Sequence, residues 1–209
     1  MTTRLPGSVR QHLAALRALL MLTVLAGILY PLVIFGIGQL VFPAQANGSL
    51  LRVNGGVVGS SLLGQAFVDA QGNPVPQWFQ PRPSAASDPS TKNDPGYNPL
   101  FSGPSNLGPS NPDLIKSIDA RRAAVAVFDG MSPQRVPPDA VTASGSGLDP
   151  DISPAYAEEQ INRVAKARGL DPDVVRALVA AHVQGRILGI LGEPRVNVVE
   201  LNAALARLG

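Results

Sequence analysis

The sequence predicts an α+β fold: a single N-terminal transmembrane helix followed by one extracytoplasmic α+β domain. Three observations carry this. Ala18 to Phe42 is a run of twenty-five residues without a charged side chain. Short apolar pieces set among Gly, Pro, Ser and Asn follow it, and from Asn111 onward the chain turns to capped stretches with apolar residues at helical spacing. The chain divides accordingly into residues 1–17 as a cytoplasmic N-terminal tail, 18–42 as the transmembrane helix and 47–209 as the domain.

The apolar run reaches roughly 38 Å as a helix, more than the ~30 Å hydrocarbon core of a bilayer. A cleaved signal peptide is the rival reading, because Ala44-Gln45-Ala46 has the small-x-small pattern of a cleavage site. Cleavable signals, however, carry apolar regions of only about 7–15 residues, so the length favours a retained anchor. A buried core helix would show a polar face, and here Thr23 and Gln39 are the polar interruptions. Pro31 removes a backbone donor within the span and should kink it, leaving a carbonyl for a neighbouring helix to satisfy. Arg4, Arg10 and Arg17 precede the span and the next basic residue is Arg52. The positive-inside rule then holds the N-terminus in the cytoplasm and puts residues from about 47 onward outside.

Setting those three arginines aside from the 17 Lys+Arg leaves 14 against 15 Asp+Glu, a net charge of −1. The basic balance of the whole chain therefore reports orientation against membrane lipid and not a nucleic-acid surface. About 160 residues suffice for one domain with its own core. With no cysteine in the chain, no disulfide stabilises it. A bacterial cell envelope fits that combination.

Within the domain, Leu50–Val53, Val57–Val58 and Leu62–Val68 read as short strands. The surrounding loop-rich half is expected to be ordered, since Trp78, Phe79, Tyr97, Leu100 and Phe101 recur through it and a disordered linker has little use for aromatics. Gly103 to Asn111 repeats the tetrad Gly-Pro-Ser-Asn across Leu107, which reads as two consecutive tight turns, Asn106 and Asn111 bonding local backbone, or as a rigid docking loop. Asn111 caps a helix that has Pro112 at its first position and runs to about Phe128 before Gly130. Ser153-Pro154 opens a second, with Ile161, Val164 and Ala165 inward and Gly169 as its stop. Asp171-Pro172 opens a third through Val174, Val175, Leu178, Val179 and Val183 to Gly185, and Asn197 caps a last one from Val198 to Leu208. Val141–Ala143 and Ile187–Leu191 read as extended pieces.

Chemistry is sparse. A serine triad needs a histidine base, and beyond the span only His182 is available, on a predicted helix and without a G-x-S-x-G or S-x-x-K motif in the chain. One histidine and no cysteine cannot build a zinc site. Asp149 and Asp151 flank Pro150 in what reads as a solvated turn, Gly145-Ser146-Gly147 is too short for a phosphate cradle, and no phosphate loop or D-K-T-G string occurs. The residues thus offer no catalytic group, no metal site and no cofactor bound by this chain. Arg82 and Arg195, set among Pro81, Pro83 and Pro194, read as structural arginines bonding loop carbonyls in preference to the alternative, a site for an external anion.

The remaining dense strings carry a resemblance. They are Gly64-Gln65-Ala66-Phe67, Trp78 to Ala85, Ser105 to Pro112, Ser144 to Pro150, Gln160 to Gly169, His182 to Arg186 and Gly192 to Val198. In order and over nearly the whole chain, they resemble the C subunit of the Kdp-type high-affinity potassium-transporting P-type ATPase. Asp151 stands where that family often has His, Val183 where it often has Thr, and Pro104 where a second Gly is common, which puts in doubt any role resting on a histidine at 151 or a hydroxyl at 183.

The resemblance implies a complex that uses ATP and potassium. In it a channel-like A subunit conducts potassium, a B subunit hydrolyses ATP through a phosphorylated aspartate, and a small F subunit stabilises them. The C subunit would be a non-catalytic, single-pass partner in the bacterial inner (plasma) membrane. Two roles follow from the family: a catalytic chaperone raising the B subunit's affinity for ATP, with a nucleotide-contacting glutamine that matches Gln160, or a cap beside the outer mouth of the potassium pathway. The topology puts Gln160 outside and ATP inside, which favours the cap, with Arg82, Asn106, Asn111, Arg195 and Asn197 as structural or interface residues. The alternative from another class is an anchored envelope protein that binds a small ligand or cell-wall polymer in a cleft of Trp78, Phe79, Arg82 and Tyr97.

Overall fold

In a computed structural model, which describes residues 6–208, the chain separates into two units at Ser49/Leu50. The first is dominated by one continuous apolar helix, Gly7–Val41, 35 residues long and without a buried side chain, long and apolar enough to cross a membrane. It comprises α1 (Gly7–Val24), a π-helical turn (Leu25–Leu29) and α2 (Tyr30–Val41). The helix starts well before the uncharged run because Arg10, Gln11, Leu13, Ala14 and Ala15 are good helix formers. Arg10 and Arg17 lie on α1, whereas Arg4 lies outside the described residues. Pro31 has its effect one turn earlier than its own position. Lacking an N–H, and with a ring that would press on the Gly27 carbonyl, it sits just beyond a turn in which the Tyr30 N–H reaches Leu25 O, five residues back. A widened turn relieves the clash. After α2 comes α3 (Pro43–Ala46), and Asn47 closes this end on the Gln39 side chain at 3.0 Å and the Pro43 carbonyl at 2.7 Å.

The second unit opens with the antiparallel hairpin β1 (Leu50–Val53) and β2 (Gly56–Ser60), joined by Asn54-Gly55, both at positive φ (50° and 82°) as a type I′ turn demands. The strand expected over 62–68 does not form; only isolated bridges Ser60↔Leu63 and Val68↔Pro74 remain. Gly64 explains the break. Its N–H donates to Leu148 O at 2.8 Å, and a Cβ there would lie 2.3 Å from the Tyr97 ring and 2.7 Å from the Asp149 carbonyl, so the chain is drawn across other loops. Of the two Gly-Pro-Ser-Asn tetrads, the second closes a turn, Asn111 N–H to Gly108 O at 3.0 Å. The first does not; its Asn106 is exposed in the left-handed region at φ 56°.

Helix α4 (Pro112–Asp129) is capped by Asn111, whose Oδ1 accepts from Asp113 N–H at 2.8 Å, and ends on left-handed Gly130. Helix α5 (Pro154–Arg168) starts on Ser153 and ends on left-handed Gly169, and α6 (Pro172–Ala181) starts on Asp171. A second sheet, of order β3-β5-β4 and wholly antiparallel, is built from β3 (Asp151–Ile152), β5 (Arg195–Asn197) and β4 (Val183–Gln184). Helix α6 was expected to reach Gly185. It stops at Ala181 because β-branched Val183 pairs across from Val196 in β5. Val141–Ala143 is not extended either: the Pro138 carbonyl accepts from the N–H groups of Val141 and Thr142 and from the Thr142 hydroxyl, folding the chain into a tight turn. The last helix, α7 (Val198–Leu205), begins on Asn197, which accepts from both Val199 and Glu200 N–H groups.

The core lies between α5, α6, α7 and the β3-β5-β4 sheet, with Phe79 brought in from the loop half. Along α5, Tyr156, Ala157, Gln160, Ile161, Val164 and Ala165 form the inward stripe, the periodicity that made the helix visible in the sequence. Ile161→Ala should cost about 2–5 kcal/mol by leaving a cavity at a fully buried site. Denaturant unfolding of the detergent-solubilised protein measures this, and a loss under about 0.5 kcal/mol would show that the site is not part of a packed core.

Candidate functional site

The loop half is held by side chains that substitute for a missing strand. Five consecutive carbonyls, from Pro76 to Gln80, each accept a side-chain hydrogen bond. Arg163 on α5 donates from Nη1 to the carbonyls of Pro76 and Trp78. Arg168 donates from Nε to Gln77 O at 2.9 Å while its guanidinium lies 4.4 Å over the Trp78 ring. Asn202 on α7 grips Phe79 twice, accepting its N–H and donating to its carbonyl, both at 2.9 Å. Gln160 grips Gln80 the same way, its Oε1 accepting from the Gln80 N–H at 2.6 Å and its Nε2 donating to the Gln80 carbonyl at 3.1 Å.

Arg163 completes the cluster. Its Nη2 donates to Gln160 Oε1 at 2.6 Å and its Nε pairs with Asp129 Oδ1 at 2.6 Å, the two side chains 7% and 1% exposed. Burial raises the Asp129 carboxyl above its ordinary range, and the neighbouring Arg163 pulls it back down. Gln160 itself is fully buried, with both atoms of its amide engaged.

The other residues singled out from the sequence are dispersed over the domain. Arg82 pairs with Asp149 at 3.0 Å and reaches Thr142 O at 3.4 Å, while its own carbonyl accepts from the Tyr97 hydroxyl at 2.8 Å. Burial, reinforced by Asp149, pushes the Tyr97 phenol up, so it stays a neutral donor. Arg195 lies in β5 and pairs with the Asp151 carboxylate at 2.9 Å, so its partner is an acid and not a loop carbonyl. Asn197 Nδ2 ties the first hairpin to the second sheet through Ser61 O at 2.8 Å. His182 donates from Nδ1 to Leu178 O at 2.8 Å, a local helix-end contact. The cleft imagined for Trp78, Phe79, Arg82 and Tyr97 does not assemble: Phe79 is fully buried, Trp78 packs at 6.1 Å from Phe67, and only Arg82 and Tyr97 share a cavity.

What the sequence reading missed is the surface between β4 and β5. Expected as an extended piece, Ile187–Leu191 is a tight tip. The Ile187 and Leu191 N–H groups exchange bonds with each other's carbonyls at 2.9 and 3.0 Å, and Leu188 sits at φ 54°. All four aliphatic side chains point away from the core, Leu188 at 87% and Ile190 at 75% exposure. Arg186 and Glu193 pair at 2.8 Å across its base, so the tip carries no net charge. The available signal was the composition, Ile-Leu-Gly-Ile-Leu with no polar alternation, which suits neither a half-buried strand nor a solvated loop.

Replacing Arg163 by Met would strand the nearly inaccessible Asp129 carboxylate and remove one donor from the Pro76–Gln80 segment, and should destabilise the domain by roughly 3–5 kcal/mol. Arg122→Met, which removes only the exposed pair with Asp119, should cost less than about 1 kcal/mol. Comparable melting temperatures for the two variants would refute the clamp.

The family described as "KdpC: K+-transporting ATPase, c chain" matches residues 12–207. Among curated proteins, the chain is similar to the potassium-transporting ATPase KdpC subunit of Kineococcus radiotolerans, 53% identical with 98% of this chain and 97% of that one covered. It is also similar to those of Streptomyces coelicolor, at 46% identity over 100% and 97%, and Sorangium cellulosum, at 52% over 91% and 94%. With a family match over almost its full length and relatives at about half identity, the chain belongs to the KdpC family, the c chain of the K+-transporting ATPase.

Proposed function

We propose that this chain is the non-catalytic accessory subunit of its potassium-transporting ATPase complex and acts by docking, from outside the cytoplasm, against the channel-like A subunit near the potassium entrance. The B subunit would hydrolyse ATP and the small F subunit complete the assembly. Potassium and ATP would be handled by those subunits, with no cofactor on this chain. The observation that carries the reading is the Ile187–Leu191 tip. A stiff, uncharged aliphatic projection on a folded domain exposes apolar surface that water penalises and an apolar partner surface would reward. Family membership makes a membrane-embedded partner of the same complex its natural receiver, and leaves no need for a stand-alone envelope protein that binds polymer.

Gln160 weighs against the chaperone alternative. A nucleotide contact would require its amide to release the Gln80 peptide and Arg163, each release leaving a buried polar group unpaired at about 1–3 kcal/mol. The orientation is supported by Arg10 and Arg17 on the N-terminal part of the helix and the lack of a basic residue from there to Arg52. Any effect on ATP affinity would then be a coupling across the membrane.

Two measurements test this. In intact cells a tag after Gly209 should be reachable by an impermeant label; labelling only after permeabilisation would overturn the orientation and the cap with it. The pair Leu188→Asp and Ile190→Asp should abolish co-purification of the A subunit while leaving the melting temperature of the solubilised chain unchanged. Retained co-purification would overturn docking through the tip.

A further inference from the structure

Arg121 and Arg122 are neighbours on α4 with different surroundings. Arg122 finds Asp119 three residues back at 3.0 Å. Arg121 has no acidic side chain three or four residues away in sequence, and none within 4.0 Å among the described residues. It lies instead, half-buried, on the cavity-lining side of the helix with Ala124, Val125 and Phe128, its Nη1 donating to the Val141 carbonyl at 3.2 Å. The next carbonyl, Thr142, accepts from Arg82 Nη2 at 3.4 Å. Two guanidiniums therefore meet on consecutive peptide carbonyls, with Asp149 the one carboxylate bonded to either. Among the described residues, Arg82 Nε is also the one buried side-chain nitrogen or oxygen without a partner. The pair is short of acceptors and carries one uncompensated positive charge.

Both arginines line a cavity of about 420 Å³, within the range of small-ligand sites. Most of its other walls are apolar or aromatic, Pro74, Pro81, Tyr97, Val125 and Phe128 among them, with Gln80 and Ser84 as polar exceptions. Burial lowers the Arg121 pKa, the direction expected of a cation lacking an anion.

We propose that this cavity is a binding site for a small organic acid, a monocarboxylate with a short apolar body, the carboxylate on Arg121 and the body against the proline and aromatic walls. One surplus charge matches one carboxylate, and the guanidinium fork suits its two oxygens. The apolar walls select an organic acid over a hydrated inorganic anion.

The test is calorimetric titration of the full-length chain, solubilised in an uncharged detergent at low ionic strength, with benzoate as probe. Benzamide, inorganic phosphate and a detergent blank are run alongside. Benzoate should bind at a single saturable site, and benzamide at least about tenfold more weakly, as expected for loss of a charged hydrogen-bond partner. Arg121→Gln should weaken benzoate by a similar factor, with no more than the small drop in melting temperature expected from losing its bond to the Val141 carbonyl. Ala124→Leu, at an exposed wall position touching neither arginine bond, should do the same by filling the cavity. No saturable benzoate signal, equal binding of benzamide, or an affinity unchanged in both variants would overturn the site. Phosphate binding as tight as benzoate, and lost in Arg121→Gln, would overturn the organic-acid assignment. The chain is titrated alone, so the result is independent of whether the tip docks on a partner.

Discussion

The five successive carbonyls of Pro76 to Gln80 have no strand beside them, and pairing them, from exposed Pro76 and Gln77 down to buried Phe79 and Gln80, is the constraint around which the rest is arranged. In a sheet the neighbouring backbone would supply the donors. Here the donors are the side chains of Gln160, Arg163, Arg168 and Asn202, projected from two helices. Such a lattice stabilises only when complete, because a missing member leaves a buried polar group unpaired. It also fixes register: Phe79 enters the core between two peptide groups each held by an amide in a two-bond embrace, so a one-residue slip would break four bonds and bury Gln80 in its place. The Pro-rich half can thus be ordered with little regular secondary structure.

The charges follow the same logic at decreasing depth. Arg163 and Asp129 are nearly inaccessible, and a pair at that depth repays its desolvation only through the extra bonds Arg163 makes to carbonyls and to Gln160. Arg82 with Asp149 and Arg195 with Asp151 are partly exposed, the first tying one loop to another and the second one strand to its neighbour. Asp151 occupies the position where a histidine was expected from the family resemblance, and its role here is legible: it is the counterion of Arg195 on the facing strand.

Capping chemistry made four helix starts and two glycine stops readable in the sequence, because an N-cap bond spans two or three residues and a left-handed stop depends on one. The second sheet was not readable. Its strands are two or three residues long, too short for alternation to register, and Val183 was absorbed into a helix by its spacing from Val179. The failed strand at 62–68 shows the same limit from the other side, since the contact of Gly64 with Tyr97 and Asp149 is invisible to local pattern. For the site, Gln160 was found through resemblance but its function in packing was not, because the group it bonds is a backbone eighty residues away. Arg121 was passed over beside Arg122, although the acid three residues before Arg122 and the absence of one for Arg121 already separated them.

The stiffness of the clamped half and the exposure of the aliphatic tip bear on each other. A tip whose turn is closed by its own backbone bonds, at the end of a hairpin whose strands belong to the central sheet, loses little conformational entropy when it is covered, so most of its apolar area counts toward affinity. Leu188 in the left-handed region costs of order 1 kcal/mol and contributes no packing to the core. The fold thus holds Leu188 out in solvent in a strained conformation, a cost that covering by an apolar surface would offset.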